Sequence, residues 1–317
     1  MSVVAILGSG FGLYGYLPAM VEAGAERIVL PVRYQAKLSS RPELARFSDD
    51  VQWAPDESAA LVSADSVVVA LRPDLQAEWV SRCLKLPNIE RLLLEKPLAL
   101  SPDAALSLFE DLVNSRKVFR IGYVFRFTPW GGGLLQSLSS NFGGESFGKL
   151  RICWSFLAHH FLYRSDSWKR YCSFGGGAVR FYGIHLIALL AELGYTKVSS
   201  SQTFGSNAEE IVRWSATFSG RELPDCDVVV DTKAMSNQFR IERLVDSTTT
   251  TVVSQVDPFG SEENTSFSYG LDKRVSPLAC LCRSLWGDSG NVYGWYRDTI
   301  ILWCRVEDCT SFEVCPV

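Results

Sequence analysis

Lys96 and His185 stand where side-chain type and local sequence together point to proton chemistry. Lys96 lies in Glu95-Lys96-Pro97, directly after the apolar run Leu92-Leu93-Leu94. A lysine at the carboxyl end of a buried strand loses hydration, which lowers its pKa and lets it share a proton with a substrate hydroxyl. An ion pair between Lys96 and Glu95 is the structural alternative. His185 follows Gly175-Gly176-Gly177 on a helical stretch and is one of only three histidines in the chain. An imidazole titrating near neutrality is a natural general acid or base. The plainer reading of a lone helix histidine is a satisfied core residue.

A second group of residues has the spacing of a dinucleotide site. Gly8-Ser9-Gly10-Phe11-Gly12-Leu13 follows the apolar run Val3–Leu7 and opens a helical stretch. Glycine at 8 permits a tight turn, and glycine at 10 lets the backbone approach a pyrophosphate at the helix N-terminus. Leu13 occupies the third fingerprint position, usually Gly or Ala, which loosens helix–strand packing; Gly12 and Gly15 flank it. About 20 residues on, where an NAD site carries an acid for the ribose 2′-hydroxyl, stands Arg33. No acid lies between Ile28 and Pro42, and Lys37, Ser39, Ser40 and Arg41 follow. A cationic, hydroxyl-rich loop suits a 2′-phosphate of about −1.5 to −2 charges, so NADP(H) is predicted over NAD(H). A solvated basic loop is the alternative.

These residues need elements to position them. Up to about residue 120, short apolar runs alternate with amphipathic stretches, the pattern of βαβ units on a parallel sheet. Val3–Leu7, Ile28–Val32, Ser66–Ala70, Arg91–Leu94 and Phe119–Tyr123 read as strands, and Pro42–Phe47, Leu75–Lys85 and Ala104–Ser115 as helices. Ser101-Pro102 makes a good helix start. Beyond Tyr123, Leu150–Phe156, Val198–Phe204, Ile211–Phe218, Asp227–Lys233, Phe239–Val245 and Thr249–Gln255 read as consecutive strands of a mostly antiparallel sheet. Helical stretches at Ala178–Leu193, Ser276–Trp286 and Tyr293–Ser311 flank them. Ser247–Thr251 reads as an exposed strand or turn. His159 and His160, taken as adjacent strand residues, would point to opposite faces and make a poor metal pair.

Composition sets outer bounds. The 317 residues are comfortable for two domains, and 47% apolar with 21% charged content is that of a soluble globular protein. A net charge of −4 argues against a nucleic-acid surface, and no apolar run approaches the length of a membrane span. Met1 to Gly8 lacks a basic leader segment, so no secretory signal is expected. Nine cysteines without metal spacing predict reduced, mostly buried thiols in a cytoplasmic protein, with no metal.

Three segments, in order, resemble the Gfo/Idh/MocA family of nicotinamide-dependent sugar and cyclitol oxidoreductases: Gly8–Gly12, Glu95-Lys96-Pro97 and Gly175–His185. The family reads Gly-Gly-Gly-x-Leu-x-Asp-x-Gly-x-His-x-x-Asp at the last; this chain has Phe181 and Ala188 at the acidic positions. The resemblance implies an α/β fold, with a doubly wound parallel Rossmann domain over residues 1–123. An α+β substrate-binding domain with a large, mostly antiparallel open sheet would follow over residues 124–317. It implies that Lys96 points at the nicotinamide and the substrate carbinol, with His185 facing the same cleft. Leu71-Arg72-Pro73 resembles the loop packed against the cofactor's ribose and nicotinamide side, with Gln76 in place of the usual histidine.

Arg126, in Phe125-Arg126-Phe127-Thr-Pro129, resembles the family's Arg-Phe-x-Pro and is placed at the substrate. His160, Tyr163, Arg164 and Trp168 fall where family members build the sugar-binding wall. Trp168 could stack on a sugar ring, Arg164 or Lys169 could take a phosphate or carboxylate, and Tyr163 could be an alternative proton donor; Tyr182 joins the substrate-binding set. The activity implied is NADP(H)-dependent hydride transfer at a sugar, sugar-nucleotide or cyclitol carbon, in a homo-oligomer joined through the open sheet. The lost carboxylates leave two alternatives: elimination, epimerisation or glycoside cleavage with transient cofactor use, or a non-catalytic nucleotide-binding protein.

Overall fold

A computed structural model of the chain describes residues 2–140, 148–245, 248–260, 270–287 and 292–315. The chain divides into two compact units. The first comprises Met1–Ala99, Ser107–Phe127 and the described part of 261–291; the second comprises Leu100–Leu106, Thr128–Gly260 and the described part of 292–317. The sequence reading drew one boundary after residue 123. The observed division is discontinuous, because the helix Val275–Arg283 packs on the helix Leu17–Glu22 of the first unit. Arg283 Nη2 reaches Glu22 at 3.1 Å, and Arg120 Nη2 donates to the Ser284 carbonyl at 2.7 Å. These contacts join segments too distant in sequence for local patterning to reveal.

The first unit is built on β1 (Val3–Leu7), β2 (Arg27–Pro31), β3 (Val51–Ala54), β4 (Ser66–Val69), β5 (Arg91–Leu94) and β6 (Val118–Ile121). They form one parallel sheet in the order β3-β2-β1-β4-β5-β6. The runs are apolar throughout because helices cover both faces; every residue of β4 is buried. The strand order reverses between β1 and β4, and loops at such a switch point form the ligand crevice of doubly wound sheets. The loops after β1 and β4 are Gly8–Leu13 and Leu71–Pro73. Ser101 caps the helix Pro102–Asn114, its Oγ accepting from the Ala104 N–H at 3.3 Å. The edge strand β3 was not expected: its four residues are mostly half exposed and show no clean period.

The second unit holds β7 (Lys149–Leu157), β8 (Tyr195–Asn207), β9 (Glu210–Gly220), β10 (Cys226–Asp231), β11 (Lys233–Val245), β12 (Thr248–Gln255) and β13 (Thr310–Val314). Their order is β12-β11-β7-β10-β9-β8-β13. Pairing is antiparallel except for β7–β10 and β8–β13. Trp214, Tyr195, Phe218, Phe239 and Trp303 are fully buried in this unit. Removing a side chain such as Phe218 from water contributes about 1.5–3 kcal/mol.

The helix Ile184–Leu193 ends at Gly194, whose φ of +97° is a left-handed cap open to glycine. It packs on the helix Val292–Asp308, where Trp295 Nε1 donates to the Ala188 carbonyl at 2.7 Å. Two expectations are corrected here. The last helix stops at Asp308, and Thr310–Val314 runs as a strand parallel to β8. His159 and His160 sit on the short helix His159–Leu162, with His159 exposed and His160 buried.

All nine cysteines are free thiols: three buried, four half-buried, and Cys309 and Cys315 exposed. No cluster among the described residues could hold a metal ion.

Candidate functional site

In the first unit the candidate residues begin where β1 ends. Gly8 has φ +125°, and a Cβ there would lie 2.2 Å from the Ala70 carbonyl oxygen at the end of β4. Only glycine lets β1 and β4 approach this closely. At Gly10 a Cβ would meet no atom within 4 Å, so this exposed backbone faces open space that a side chain would fill. A pyrophosphate fits such a cradle. Gly12 opens a wide turn, Gly12–Tyr16, that runs into the helix Leu17–Glu22.

Close packing on β1 has moved by one position. Gly12, not residue 13, lies against Ile6, where a Cβ would stand 3.1 Å from Cγ2. The Leu13 side chain is buried in the core, so this residue meets the loop through its backbone, its N–H donating to the Gly10 carbonyl at 3.0 Å. Phe11 carries the Arg274 guanidinium over its ring at 4.2 Å from the centroid. Asp272 grips Arg274 through both carboxylate oxygens, at 2.8 and 2.7 Å; burial pulls the guanidinium pKa down, but the Asp272 pair and other nearby groups together raise it above its usual value. Arg274 comes from the far end of the chain, and nothing in its local sequence connects it to a glycine-rich loop.

Arg33 follows β2, as the sequence placed it. Its Nε donates to Glu57 Oε1 at 2.6 Å. The Tyr34 hydroxyl donates to the same oxygen at 2.9 Å and accepts from the Gly8 N–H at 3.0 Å. Glu57 carries no local signal, since it lies 24 residues beyond Arg33 at the start of a separate helix. Arg72 is tied to Asp74 at 2.8 Å, and the buried Pro73 opens the helix Pro73–Leu84.

Glu95, Lys96 and Pro97 are buried, with the Lys96–Pro97 bond cis. Gln76 locks this loop from the neighbouring helix. Its Nε2 donates to the carbonyls of Glu95 (2.7 Å), Pro97 (3.3 Å) and Leu98 (3.2 Å), and its Oε1 accepts from the Glu95 N–H at 2.9 Å. Gln76 therefore fixes the lysine loop. Tyr16 donates to Glu95 Oε1 at 2.6 Å. Burial pushes the Glu95 carboxyl up from the ordinary range, against Lys96, the Tyr16 hydrogen bond and Arg274, which pull it down. Arg126 lies half buried, its guanidinium over Phe127.

In the second unit, His185 stands on the helix after the glycine triplet and is buried. Its ring meets Phe259 edge-on at 6.3 Å, and Phe259 contacts Trp154 at 6.5 Å. Trp154 and Phe156 both contact Tyr182, which meets Phe181 at 4.8 Å; Phe181 meets Trp168 at 5.4 Å. Trp168, Tyr182 and His185 thus belong to one connected aromatic wall. Phe181 is a packed ring, and Lys169 lies over it at 5.0 Å.

His160 sits beside this region but is not among those rings. Burial, then the Lys169 and Arg170 charges, lower its pKa to about 4. It is a neutral hydrogen-bonding group at physiological pH. Tyr163 is 64% exposed and packs at a tilt against His159, with ring centroids 4.3 Å apart, while Arg164 is exposed at φ +50°. Neither joins the wall.

No family model and no curated protein sequence matches the chain. Solved structures do. WlbA dehydrogenase from Bordetella pertussis, in complex with NADH and UDP-GlcNAcA, superposes with a TM-score of 0.74 at 15% identity, covering 97% of this chain and 95% of that one. GenD2 from gentamicin A biosynthesis, in complex with NAD, gives 0.72 at 17% identity, covering 97% and 94%. This chain has their fold. KijD10, a 3-ketoreductase from Actinomadura kijaniata in complex with NADP and TDP-benzene, shares it too, with a TM-score of 0.67, 15% identity and 99% of each chain covered.

Proposed function

We propose that this chain is a Gfo/Idh/MocA-type oxidoreductase that moves hydride at a hydroxyl or carbonyl carbon of a sugar, sugar-nucleotide or cyclitol. The observation that carries the reading is the Glu95-Lys96-Pro97 loop, fixed by Gln76 and Tyr16 at the carboxyl edge of a doubly wound sheet whose Gly10 cradle fits a pyrophosphate. A nicotinamide cofactor, when bound, supplies or accepts the hydride. NADP(H) is favoured over NAD(H) because Arg33 occupies the 2′ position of the loop after β2.

Lys96 hydrogen-bonds the reacting oxygen through Nζ and holds the proton that oxygen gains or loses. His185 exchanges that proton onward, with the exposed Tyr163 as the alternative donor. Gly8, Ser9, Gly10, Phe11, Gly12 and Leu13 form the cofactor loop, with Leu71, Arg72 and Pro73 on its other side. Trp168 and Tyr182 supply the wall against which an apolar sugar face stacks; Arg126, His160 and Arg164 supply polar contacts.

The test is steady-state turnover of NADP⁺ and NADPH with a panel of sugars and keto-sugars. Lys96→Ala and His185→Ala are expected to lose more than about tenfold, since positioned acid–base groups contribute about 10²–10⁴. Phe181 at the acidic position favours a second reading, in which hydride returns to the same substrate and the net reaction is epimerisation or elimination. Cofactor that survives purification without net turnover identifies that case.

The second unit's open sheet, with Met235 98% exposed in the irregular stretch of β11 between Lys233 and Gln238, suits a homo-oligomer contact, to be tested by light scattering. Free thiols fit a reducing, cytoplasmic setting. No described helix is long and apolar enough to cross a membrane.

A further inference from the structure

The acid that β2 lacks at its end is supplied from the next strand. β2 and β3 pair with Pro31 opposite Ala54. Arg33 lies just past the one, and Glu57, the first residue of the helix Glu57–Val62, just past the other. Asp56 caps that helix, its Oδ1 accepting from the Ala59 N–H at 2.8 Å, which fixes where Glu57 begins. Glu57 Oε1 then collects two donors, Arg33 Nε and the Tyr34 hydroxyl, and Tyr34 in turn holds the Gly8 amide. Three hydrogen bonds tie the first fingerprint glycine to the Arg33 guanidinium through one carboxylate. Exposure differs across the pair: 13% for the Glu57 side chain against 66% for Arg33, so the acid is anchored and the cation faces solvent.

We propose that Glu57 sets how strongly this chain discriminates the cofactor's 2′ group, by opposing the 2′-phosphate that Arg33 attracts. The inference rests on the nicotinamide-cofactor reading above. A carboxylate bound to a guanidinium cancels much of its field and repels a phosphate of about −1.5 to −2 charges. The same carboxylate remains a good acceptor for an unmodified ribose hydroxyl. Arg33 and Glu57 together make the chain a binder of both cofactors, with the NADP(H) preference held small.

Dissociation constants for NADPH and NADH, from nicotinamide fluorescence titration of the full chain, test this in wild type, Glu57→Gln, Glu57→Ala, Arg33→Ala and the Arg33→Ala/Glu57→Gln double variant. Glu57→Gln is expected to tighten NADPH about tenfold while NADH moves less than about threefold, the scale of removing one like charge near a surface phosphate. Arg33→Ala weakens NADPH and, in the Glu57→Gln background, erases the gain. An unchanged NADPH-to-NADH ratio in Glu57→Gln overturns the inference. So does weaker NADPH binding, the result if Glu57 merely props Arg33. If both Glu57 variants lose NADH as well, the carboxylate is structural and the inference falls. Failure of the wild type to bind either dinucleotide defeats the parent reading instead, whereas tight binding with an unaltered ratio defeats only this one.

Discussion

Tyr16 donates a 2.6 Å hydrogen bond to Glu95, and both groups are shut away from water next to Lys96. A Cβ at Gly122 would stand 2.8 Å from the Tyr16 hydroxyl and 3.0 Å from Glu95 Oε1, so a glycine just past the end of β6 leaves room for the pair. Burial raises the pKa of both, Tyr16 well above 10.0 and Glu95 above 4.5. A carboxyl whose folded pKa lies above its unfolded one binds its proton more tightly in the folded state. Its contribution to stability is therefore present below the unfolded value and lost as pH rises through the folded one. Glu95→Gln keeps an acceptor for Tyr16 without the charge. Its melting temperature is expected to exceed wild type by more at pH 8 than at pH 5; an equal difference at both would contradict the raised carboxyl.

Gln76 makes four hydrogen bonds to the loop that carries Lys96. Gln76→Ala leaves buried carbonyls and the Glu95 amide without those partners, which costs about 1–3 kcal/mol. Thermal unfolding should show that loss, and kcat should fall while the cofactor dissociation constant changes little. Full kcat in a stable Gln76→Ala protein would mean that the loop holds Lys96 without help.

His160 is held neutral by burial and by the cations beside it, with its pKa lowered to about 4 from 6.5. The unfolded chain takes up a proton that the folded chain refuses between those values, so stability falls as pH drops from 6.5 towards 4. The full effect is about 3 kcal/mol at most. Chemical denaturation across this range should give a shallower acid loss in His160→Asn. Parallel curves for the two proteins would rule out the assignment.

Phe181 meets Trp168 and Tyr182 edge-on and lies under Lys169. Phe181→Asp removes three ring contacts and places a carboxylate among aromatic side chains. The variant is expected to lose about 1–3 kcal/mol, less than the 3–5 of a fully buried phenylalanine because the site is half exposed. An unchanged melting temperature would show that the wall does not depend on this ring.

The sequence made the parallel sheet legible because its strands are short apolar runs closed by glycine or proline, as at Val3–Leu7 before Gly8. β3 escaped because Val51–Ala54 is a half-exposed edge without a period. β13 escaped because no breaker separates Asp308 from Thr310, so the helical pattern runs on into it. Within the site, Gly8–Gly12, Glu95-Lys96-Pro97 and His185 carry local signatures. Tyr16, Gln76, Glu57 and Arg274 do not: their partners are reached by folding, 79 residues apart for Tyr16 and Glu95 and 19 for Gln76 and Glu95. Each is an ordinary residue in its own stretch and acquires a role only when strands align.

Transfer of deuterium from NADPH labelled at the nicotinamide C4 to a keto-sugar, followed by mass spectrometry, probes the proposed chemistry most directly. Wild-type protein is expected to deliver label to a single carbon of one panel member, with the rate reduced more than about tenfold in Lys96→Ala and in His185→Ala. Label retained entirely in the cofactor across the panel, or delivered at the wild-type rate by both variants, would contradict the account.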